Sequence, residues 1–359
     1  MADTSNVPLD IWQGGYPEEA DLLMAQAPEP PFDWVRESTS LWYYADSGAF
    51  GIPRVGIEAE PWSWEDRRVG GSLAFADGRA LRHGGLGKMK PVLDENGGRT
   101  VLGGGPVTFR CIEPFRRWHL QFDGEMADTT VQDQIAQTVD YSKVVPVQYE
   151  LELEMAAPAD AQNISPGMFT RLGKGQQRDA VSIGLGWRFC QNLRGAGELT
   201  IDGATHDFAG SGLRVKRRSI RTDALMLRGH VWQSAVFPDG RAFNFEVRPV
   251  HDEGFEPWNK AFVWHEGKVT HGKVVNPAWL NDPVASGEVV SFELHMDDGT
   301  IHKISAKSLL STYAVASTGV WGLTLHQGGA LYEWDGQKAY GMIERSVNTG
   351  LIEEFNDRL

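Results

Sequence analysis

Short segments in which apolar and polar residues alternate run along most of the chain, and many are separated by an Asp-Gly pair. These pairs occur at 77–78, 123–124, 202–203, 239–240, 298–299 and 335–336, with Asn-Gly at 96–97 as a close relative. Alternation on both sides of Asp-Gly predicts a β-hairpin, because a type I′ turn needs positive φ at both central residues. Helical periodicity is limited to 17–27, 126–142 and 348–359. The pattern therefore predicts an all-β protein built from antiparallel hairpins.

The length of the chain and the spacing of its hairpins predict two β domains behind an N-terminal arm. A chain of 359 residues corresponds to about two domains. The polar region near 160–180, which contains Pro and Gly, is typical of a domain boundary. We therefore expect an arm with a short helix over 1–30, a first barrel or sandwich over 31–175 and a second over 176–359.

Composition excludes several classes of partner. The chain has 48 Asp and Glu against 34 Lys and Arg, and its net charge of −14 lacks the basic footprint of nucleic-acid or anionic-membrane binding. It has no apolar run of about 18 residues, so we expect no membrane span. The acidic N-terminus lacks a secretory pattern, and two cysteines, Cys111 and Cys190, suit a reduced compartment. We expect a cytoplasmic protein, and its candidate assembly is a homodimer.

Nothing in the sequence predicts a cofactor or a metal. The chain lacks the alternating strands and helices of dinucleotide-binding folds, and the glycines at 103–105 precede a strand rather than the helix of a phosphate loop. Its ten histidines form no H-x-x-x-H or H-E-x-x-H pattern. We expect a cofactor-independent protein with no metal site.

The hairpin around residues 239–240 carries the strongest candidate site. If this Asp-Gly pair forms a two-residue turn, Trp232 lies opposite Val247. One face of the hairpin then holds Trp232, Phe245 and other apolar residues, together with the polar side chains of His230 and Ser234. An apolar face with a few polar groups is typical of a ligand pocket. The alternative is an ordinary barrel core that contains a satisfied histidine.

Upstream of this hairpin, 214–221 is the densest basic run in an acidic chain. Such a run is often an edge strand that is protected by charge and faces solvent. Alternatively, Arg214, Lys216 and Arg221 point into the barrel. There they could stabilise an anionic oxygen, and a desolvated lysine with a lowered pKa could act as a base.

Three further candidates lie in the first half of the chain. Tyr44 follows two aromatic residues, Trp64 belongs to the sequence W-S-W-E-D, and His119 follows Trp118. We consider Tyr44 as an acid or base at the domain junction, and Trp64 and His119 as substrate contacts. The alternative is that this cluster only packs one domain against the other.

Four stretches of the chain resemble a known family. They are 113–124, which includes W-x-L-x-F-D-G, 212–221, 229–240 and 332–345. Together they are similar to the hydroxyneurosporene synthase (carotenoid 1,2-hydratase) and AttH-like superfamily, to which fungal Diels–Alderases are related in fold. The resemblance implies two antiparallel lipocalin-like β-barrel or sandwich domains with few short helices.

One element departs from the family pattern. Arg214 and Arg221 match the two arginines of its R-D-H-x-W-G-x-R element. The positions between them hold Val215, Lys216, Arg218 and Ser219 instead of Asp, His, Trp and Gly. Cations at these positions would oppose a carbocation and favour an anionic intermediate.

We therefore expect a cofactor-independent lyase or isomerase that works by acid–base chemistry, of the hydratase, dehydratase or formaldehyde-lyase type. Its substrate would be bulky and hydrophobic, with an aromatic or phenolic group, such as a lignin-type dimer. His230 would move the proton and Trp232 would line the cavity. The alternatives are a terpenoid hydratase or cyclase, a pericyclase, and a carrier of hydrophobic metabolites without catalytic activity.

Overall fold

The computed structural model is almost entirely antiparallel β-sheet, which confirms the predicted fold class. It describes residues 11–24, 26–30, 33–220, 227–251, 253–315 and 322–348. Within these ranges the chain forms nineteen strands, three short α-helices and three 3₁₀ turns.

The first sheet contains eleven strands. They are β1 (Arg36–Ala45), β2 (Phe50–Ala59), β3 (Asp66–Phe75), β4 (Arg79–Lys88), β5 (Val101–Gly104), β6 (Val107–Glu113), β7 (Arg117–Thr130), β8 (Val144–Met155), β9 (Asp160–Ile164), β10 (Leu185–Ile201) and β11 (Ala204–Ile220). Their order is β4-β3-β2-β1-β11-β10-β8-β7-β6-β5, and β9 adds to β10. The pairing of β4 with the last four residues of β7 closes eight of them into a barrel, called barrel 1 below.

The second sheet is a closed eight-stranded barrel, called barrel 2. Its strands, which pair in chain order, are β12 (Gly229–Val236), β13 (Ala242–Val247), β14 (Asn259–His265), β15 (Lys268–Val275), β16 (Phe292–Met296), β17 (Ile301–Ala314), β18 (Leu323–Trp334) and β19 (Gln337–Asn348). The division between the two sheets falls after Ile220 rather than near residue 175. The reason is that β10 and β11 form hydrogen bonds to β8 and β1 and so complete barrel 1.

Most Asp-Gly pairs form turns, but one does not. The pairs at 202–203 and 335–336 have positive φ at both residues and form the predicted two-residue hairpins. The prediction is wrong for 123–124, which lies inside β7 because this strand continues from β6 to its pairing with β4.

The predicted helices are shorter than their patterns. Segment 17–27 holds a 3₁₀ turn over Glu18–Ala20, and a second turn covers Ile11–Gln13. In 126–142, α1 spans only Val131–Ala136, since residues 126–130 belong to β7 and Thr130 caps the helix. Before β10 lie α2 (Pro166–Phe169) and α3 (Lys174–Ile183). Of the last predicted helix, Asn348 ends β19 and 349–359 lies outside the described residues.

Each barrel has its own apolar core, and a third cluster joins them. Leu41, Tyr43 and Trp118 belong to the core of barrel 1, and Phe243 and Phe245 to that of barrel 2. The third cluster includes residues from the outer faces of both barrels: Trp42, Tyr44, Val215, Trp232 and Met342. The barrels therefore pack side by side through strand faces, and a cleft remains beside this contact.

Candidate functional site

The candidate site is a cleft of about 450 Å³ between the two barrels. The outer faces of β1, β2, β3 and β11 form one wall, and those of β12, β13, β18 and β19 form the other. A volume of this size lies in the range of small-molecule pockets.

The register of the β12–β13 hairpin decides which residues reach the cleft. The expected two-residue turn is wrong: five residues, Phe237 to Arg241, connect the strands, and Trp232 lies opposite Glu246 rather than Val247. Pro238 explains the difference, because it has no N–H to close the shorter hairpin. Phe237 donates its N–H to Arg241 O instead, and Gly240 donates to Phe237 O.

Because the register of β13 against β12 shifts by one residue, the residues of β13 that share a face with His230, Trp232 and Ser234 change. His230, Trp232 and Ser234 point out of barrel 2, together with Asn244 and Glu246 of β13. Phe245, a predicted member of the site, lies in the core of barrel 2 because it faces the other way. The expected apolar chamber inside the hairpin is therefore a filled core. The cleft lies on the opposite face, and polar and apolar surface line it in about equal measure.

His230 and Glu344 form a buried hydrogen-bonded pair in this cleft. On β19, Glu344 lies opposite Trp232 and Ser346 lies opposite His230, so all of them project from the same face. The distance from His230 Nε2 to Glu344 Oε1 is 3.1 Å, and His230 Nδ1 lies 2.5 Å from Ser346 Oγ. Because a carboxylate only accepts hydrogen bonds, we assign the proton to Nε2.

Glu344 is held in its ionised form. Its Oε2 accepts hydrogen bonds from Trp42 Nε1 at 3.1 Å and from Gln327 Nε2 at 2.7 Å. Burial raises the pKa of this carboxyl, but the hydrogen bond and charge of His230 and the charge of Arg54 outweigh that effect and hold the pKa below its ordinary value. The ionised carboxylate therefore orients the imidazole of His230 through their hydrogen bond.

Two tryptophans form an aromatic wall next to this pair. The rings of Trp42 and Trp232, one from each barrel, lie 5.1 Å apart. Arg188 lies 4.5 Å above the ring of Trp232, whose Nε1 donates to Asn244 Oδ1 at 2.6 Å. These contacts fix the indole of Trp232 in one orientation.

Glu246 holds Arg188 in place over this wall. It accepts from Arg188 Nη1 and from Arg248 Nη2, each at 2.7 Å. Burial raises the pKa of Glu246, but the charges of Arg188 and Arg248 exceed that effect and lower the pKa to about 2. Glu246 therefore remains charged across the physiological pH range.

The cleft is cationic although the chain as a whole is acidic. Among the described residues that line it, three are glutamates, Glu58, Glu246 and Glu344. The six arginines that line it are Arg54, Arg68, Arg82, Arg188, Arg217 and Arg248. This excess of positive charge favours a ligand with an anionic group.

The structure places two predicted catalytic residues elsewhere. Arg214 and Lys216 face the interior of barrel 1, since they alternate along β11 with Val215 and Arg217, which line the cleft. Arg214 forms an ion pair with Asp21, and Lys216 forms one with Glu37. Burial lowers the pKa of Lys216 to about 8, although Glu37 opposes the shift. Lys216 therefore has the lowered pKa that the sequence suggested, but it lies inside barrel 1 and not in the cleft.

The other predicted site residues lie outside the hydrogen-bonded pair of His230 and Glu344. Tyr44 and Ser234 are buried at the contact between the barrels, where Tyr44 donates to Gly328 O and Ser234 accepts from Asn192 Nδ2. His119 lies on the outside of barrel 1, 3.8 Å from Glu150. Trp64 packs near Arg67 after the 3₁₀ turn Pro61–Ser63, away from the lining of the cleft. Arg221 lies outside the described residues.

Sequence reasoning missed Glu344 and Glu246. A signal existed for both, because each is a charged residue in a strand whose other side chains are mostly apolar or small, A-F-N-F-E-V and Y-G-M-I-E-R-S-V. A charge that such a strand buries needs a partner. In the described part of the chain, no group of three or more His, Cys, Asp or Glu could hold a metal ion, and no helix has the length and apolar character for crossing a membrane.

Comparisons with known proteins extend to the fold alone. No protein-family model and no curated protein matches the sequence. An AttH-like protein from Nitrosomonas europaea is 13% identical with a TM-score of 0.53, over 91% of this chain and 98% of that chain. CghA, solved with Sch210972, is 12% identical with a TM-score of 0.51, over 88% and 89%. Kievitone hydratase from Nectria haematococca is 11% identical with a TM-score of 0.49, over 92% and 94%. The chain thus has the two-barrel fold of AttH-like structures.

Proposed function

We propose that the cleft between the barrels is the active site of a lyase of the hydratase or dehydratase type. Its substrate would be an aromatic molecule that carries an anionic oxygen, such as a carboxylate or a phenolate. The observation that carries this proposal is the His230–Glu344 pair, which is buried, hydrogen-bonded and exposed only to a cleft of the size of a small organic molecule.

The chemistry of the lining supports this substrate class. Trp42 and Trp232 offer aromatic faces on which a ring could stack. Arg54 lies over Trp42 at 5.9 Å and its charge acts on Glu344, so an anion bound to Arg54 would lie beside the acid–base pair. A guanidinium can bind a carboxylate through two parallel hydrogen bonds. Arg54 therefore takes the role that the sequence suggested for Lys216 and Arg214.

The proposed reaction is an elimination and its reverse. The His230–Glu344 pair removes a proton from a carbon next to the substrate's activating group, and Arg54 stabilises the negative charge that forms on oxygen. The C–O bond to the leaving hydroxyl then breaks, the C=C bond forms, and the pair returns its proton to that hydroxyl. The products are an alkene and one water, so atoms and charge balance without a cofactor.

Binding of aromatic acids tests the substrate class. We expect benzoate, cinnamate and 4-hydroxycinnamate to quench tryptophan fluorescence and to bind at least about tenfold more tightly than their methyl esters, because a hydrogen bond to a charged group contributes about 1.5–3 kcal/mol. Arg54→Gln should remove this preference. The control, Arg117→Gln, changes an exposed arginine on barrel 1 and should leave the preference intact. Equal binding of acids and esters by the unmodified protein would contradict the proposal.

A further inference from the structure

The N-terminal arm inserts a carboxylate into barrel 1. Asp21, which follows the 3₁₀ turn Glu18–Ala20, is fully buried. Its Oδ1 accepts from Arg214 Nη1 at 2.7 Å. Its Oδ2 accepts from Arg214 Nη2 at 3.0 Å, from Trp118 Nε1 at 2.9 Å and from Phe115 N at 2.6 Å. Four donors therefore converge on one carboxylate.

Residues of the barrel also hold the guanidinium of Arg214. Gln191 Oε1 accepts from Arg214 Nη2 at 2.6 Å, and the guanidinium lies 4.4 Å above the ring of Trp118 and 5.4 Å from that of Phe189. Trp118, Phe189 and Gln191 belong to β7 and β10, two neighbours of β8 in the barrel wall. The donors of the cradle therefore belong to barrel 1, and the carboxylate that they bind comes from the arm.

Asp21 is the counter-charge of Arg214 inside barrel 1. Glu37 already accepts from Lys216 at 2.6 Å and from Arg218 at 2.8 Å. Among the described residues, Asp21 is the one carboxylate in an ion pair with Arg214. Without it, a buried guanidinium would keep Gln191 as its partner but lose its counter-charge, which strongly destabilises a protein.

The arm also presents an apolar side chain directly beyond its carboxylate. Leu23 is fully buried and belongs to the apolar core of barrel 1. Asp21 and Leu23 together thus occupy the barrel as a carboxylate attached to an apolar group would.

We propose that this cradle is a carboxylate-binding site inside barrel 1 that the chain fills with its own Asp21. When the Asp21 carboxylate is removed, the cradle binds a small free carboxylate, and an apolar carboxylate is the class of ligand that fits it. The site is separate from the cleft, because Arg214 projects from the opposite face of β11 to Val215 and Arg217.

Chemical rescue of Asp21→Ala tests this proposal. We expect the variant to unfold on the order of 10 °C below the unmodified protein, because it leaves a buried guanidinium without a counter-charge. Sodium formate should restore at least about half of that difference. Sodium chloride at equal ionic strength, or neutral formamide, should not. The matched control is Asp21→Asn, which should lose stability but gain nothing from formate, because its amide fills the cradle.

Two results would overturn the proposal. One is an Asp21→Ala protein that formate stabilises no more than chloride does. The other is an equal gain from formate in Asp21→Ala, Asp21→Asn and the unmodified protein, since formate would then act elsewhere. If Asp21→Ala does not fold alone, its refolding yield in formate against chloride provides the same comparison.

Discussion

Glu246 binds one arginine from each barrel, Arg188 on β10 and Arg248 after β13, and it is almost fully buried. The cost of burying three charges is offset only when all three are paired. This one side chain therefore couples the aromatic wall of the cleft to the stability of the molecule.

Acid unfolding tests the role of Glu246. Its pKa falls from an ordinary value of 4.5 to about 2 in the folded protein, so it contributes stability above pH 4.5 that is lost as the pH falls through about 2. We expect Glu246→Gln to be about 3–5 kcal/mol less stable near neutral pH. This gap should narrow by about 3 kcal/mol between about pH 5 and pH 2 in urea titrations.

A surface glutamate gives the matched comparison. Glu152→Gln changes a side chain that is 77% exposed, and we expect its urea midpoint to follow that of the unmodified protein at every pH. A gap between Glu246→Gln and the unmodified protein that is the same at low and neutral pH would mean that Glu246 is not the charged partner of Arg188.

Single residues were predictable from the sequence where alternation alone decides their side. His230 and Trp232 share a face in any register of β12, and both reach the cleft. The location of Lys216 inside barrel 1 was not predictable. Local pattern gives neither the face of β11 from which it projects nor its partner Glu37, which is 179 positions away. The same holds for Glu344, whose partner His230 is 114 positions away.

At the scale of an element, the turn between β12 and β13 determines which residues of β13 face the cleft. Pro238 and Gly240 lengthen the β12–β13 connection, and this places Glu246 rather than Val247 beside Trp232. Sequence pattern predicted the strands and the hairpin, but the register depended on one missing N–H at Pro238. Hairpins without proline at this position, such as those at 202–203 and 335–336, have the expected register.

Two glycine substitutions separate turn conformation from strand packing. Gly240 has φ +88°, and a Cβ there would meet no atom within 4 Å, so Gly240→Ala should cost about 1–2 kcal/mol from backbone strain alone. Gly341 on β19 lies opposite Ala235, and a Cβ there would overlap Ser234 O and the atoms of Ala235.

We expect Gly341→Ala to destabilise the protein more than Gly240→Ala does, because an added methyl at a closed contact forces β12 and β19 apart. Urea unfolding at neutral pH measures both differences. Equal losses, or a larger loss for Gly240→Ala, would show that β19 does not pack closely against Ser234 and Ala235 of β12.

At the scale of the whole molecule, the site exists only because two barrels pack together. Trp42 belongs to one barrel, and Trp232 and Glu344 belong to the other, so neither barrel alone contains the cleft. The pairing of β4 with β7, which closes barrel 1, joins residues as far apart in the chain as Arg79 and Thr130 and has no local signature. For the same reason the end of the first sheet, after Ile220, could not be derived from composition.

A double-mutant cycle across the contact tests this packing. Asn192 on β10 donates to Ser234 Oγ on β12 at 2.7 Å, and both side chains are buried. We expect Asn192→Ala and Ser234→Ala to show a coupling energy of about 1 kcal/mol in urea unfolding. The control cycle pairs Asn192→Ala with Ser142→Ala, an exposed site, and should give no coupling. Zero coupling for the first pair would contradict the contact between the barrels.

The exchange of substrate protons with solvent tests the central claim most directly. For cinnamate or 4-hydroxycinnamate, whichever binds, NMR in D₂O follows incorporation of deuterium at the carbon next to the carboxylate, which occurs when water adds to the C=C bond and is eliminated again. We predict that His230→Gln and Glu344→Gln each slow this exchange by about 100-fold or more while the acid still binds. Exchange that continues at the unmodified rate in both variants, with binding intact, would show that the pair in the cleft is not the acid–base group.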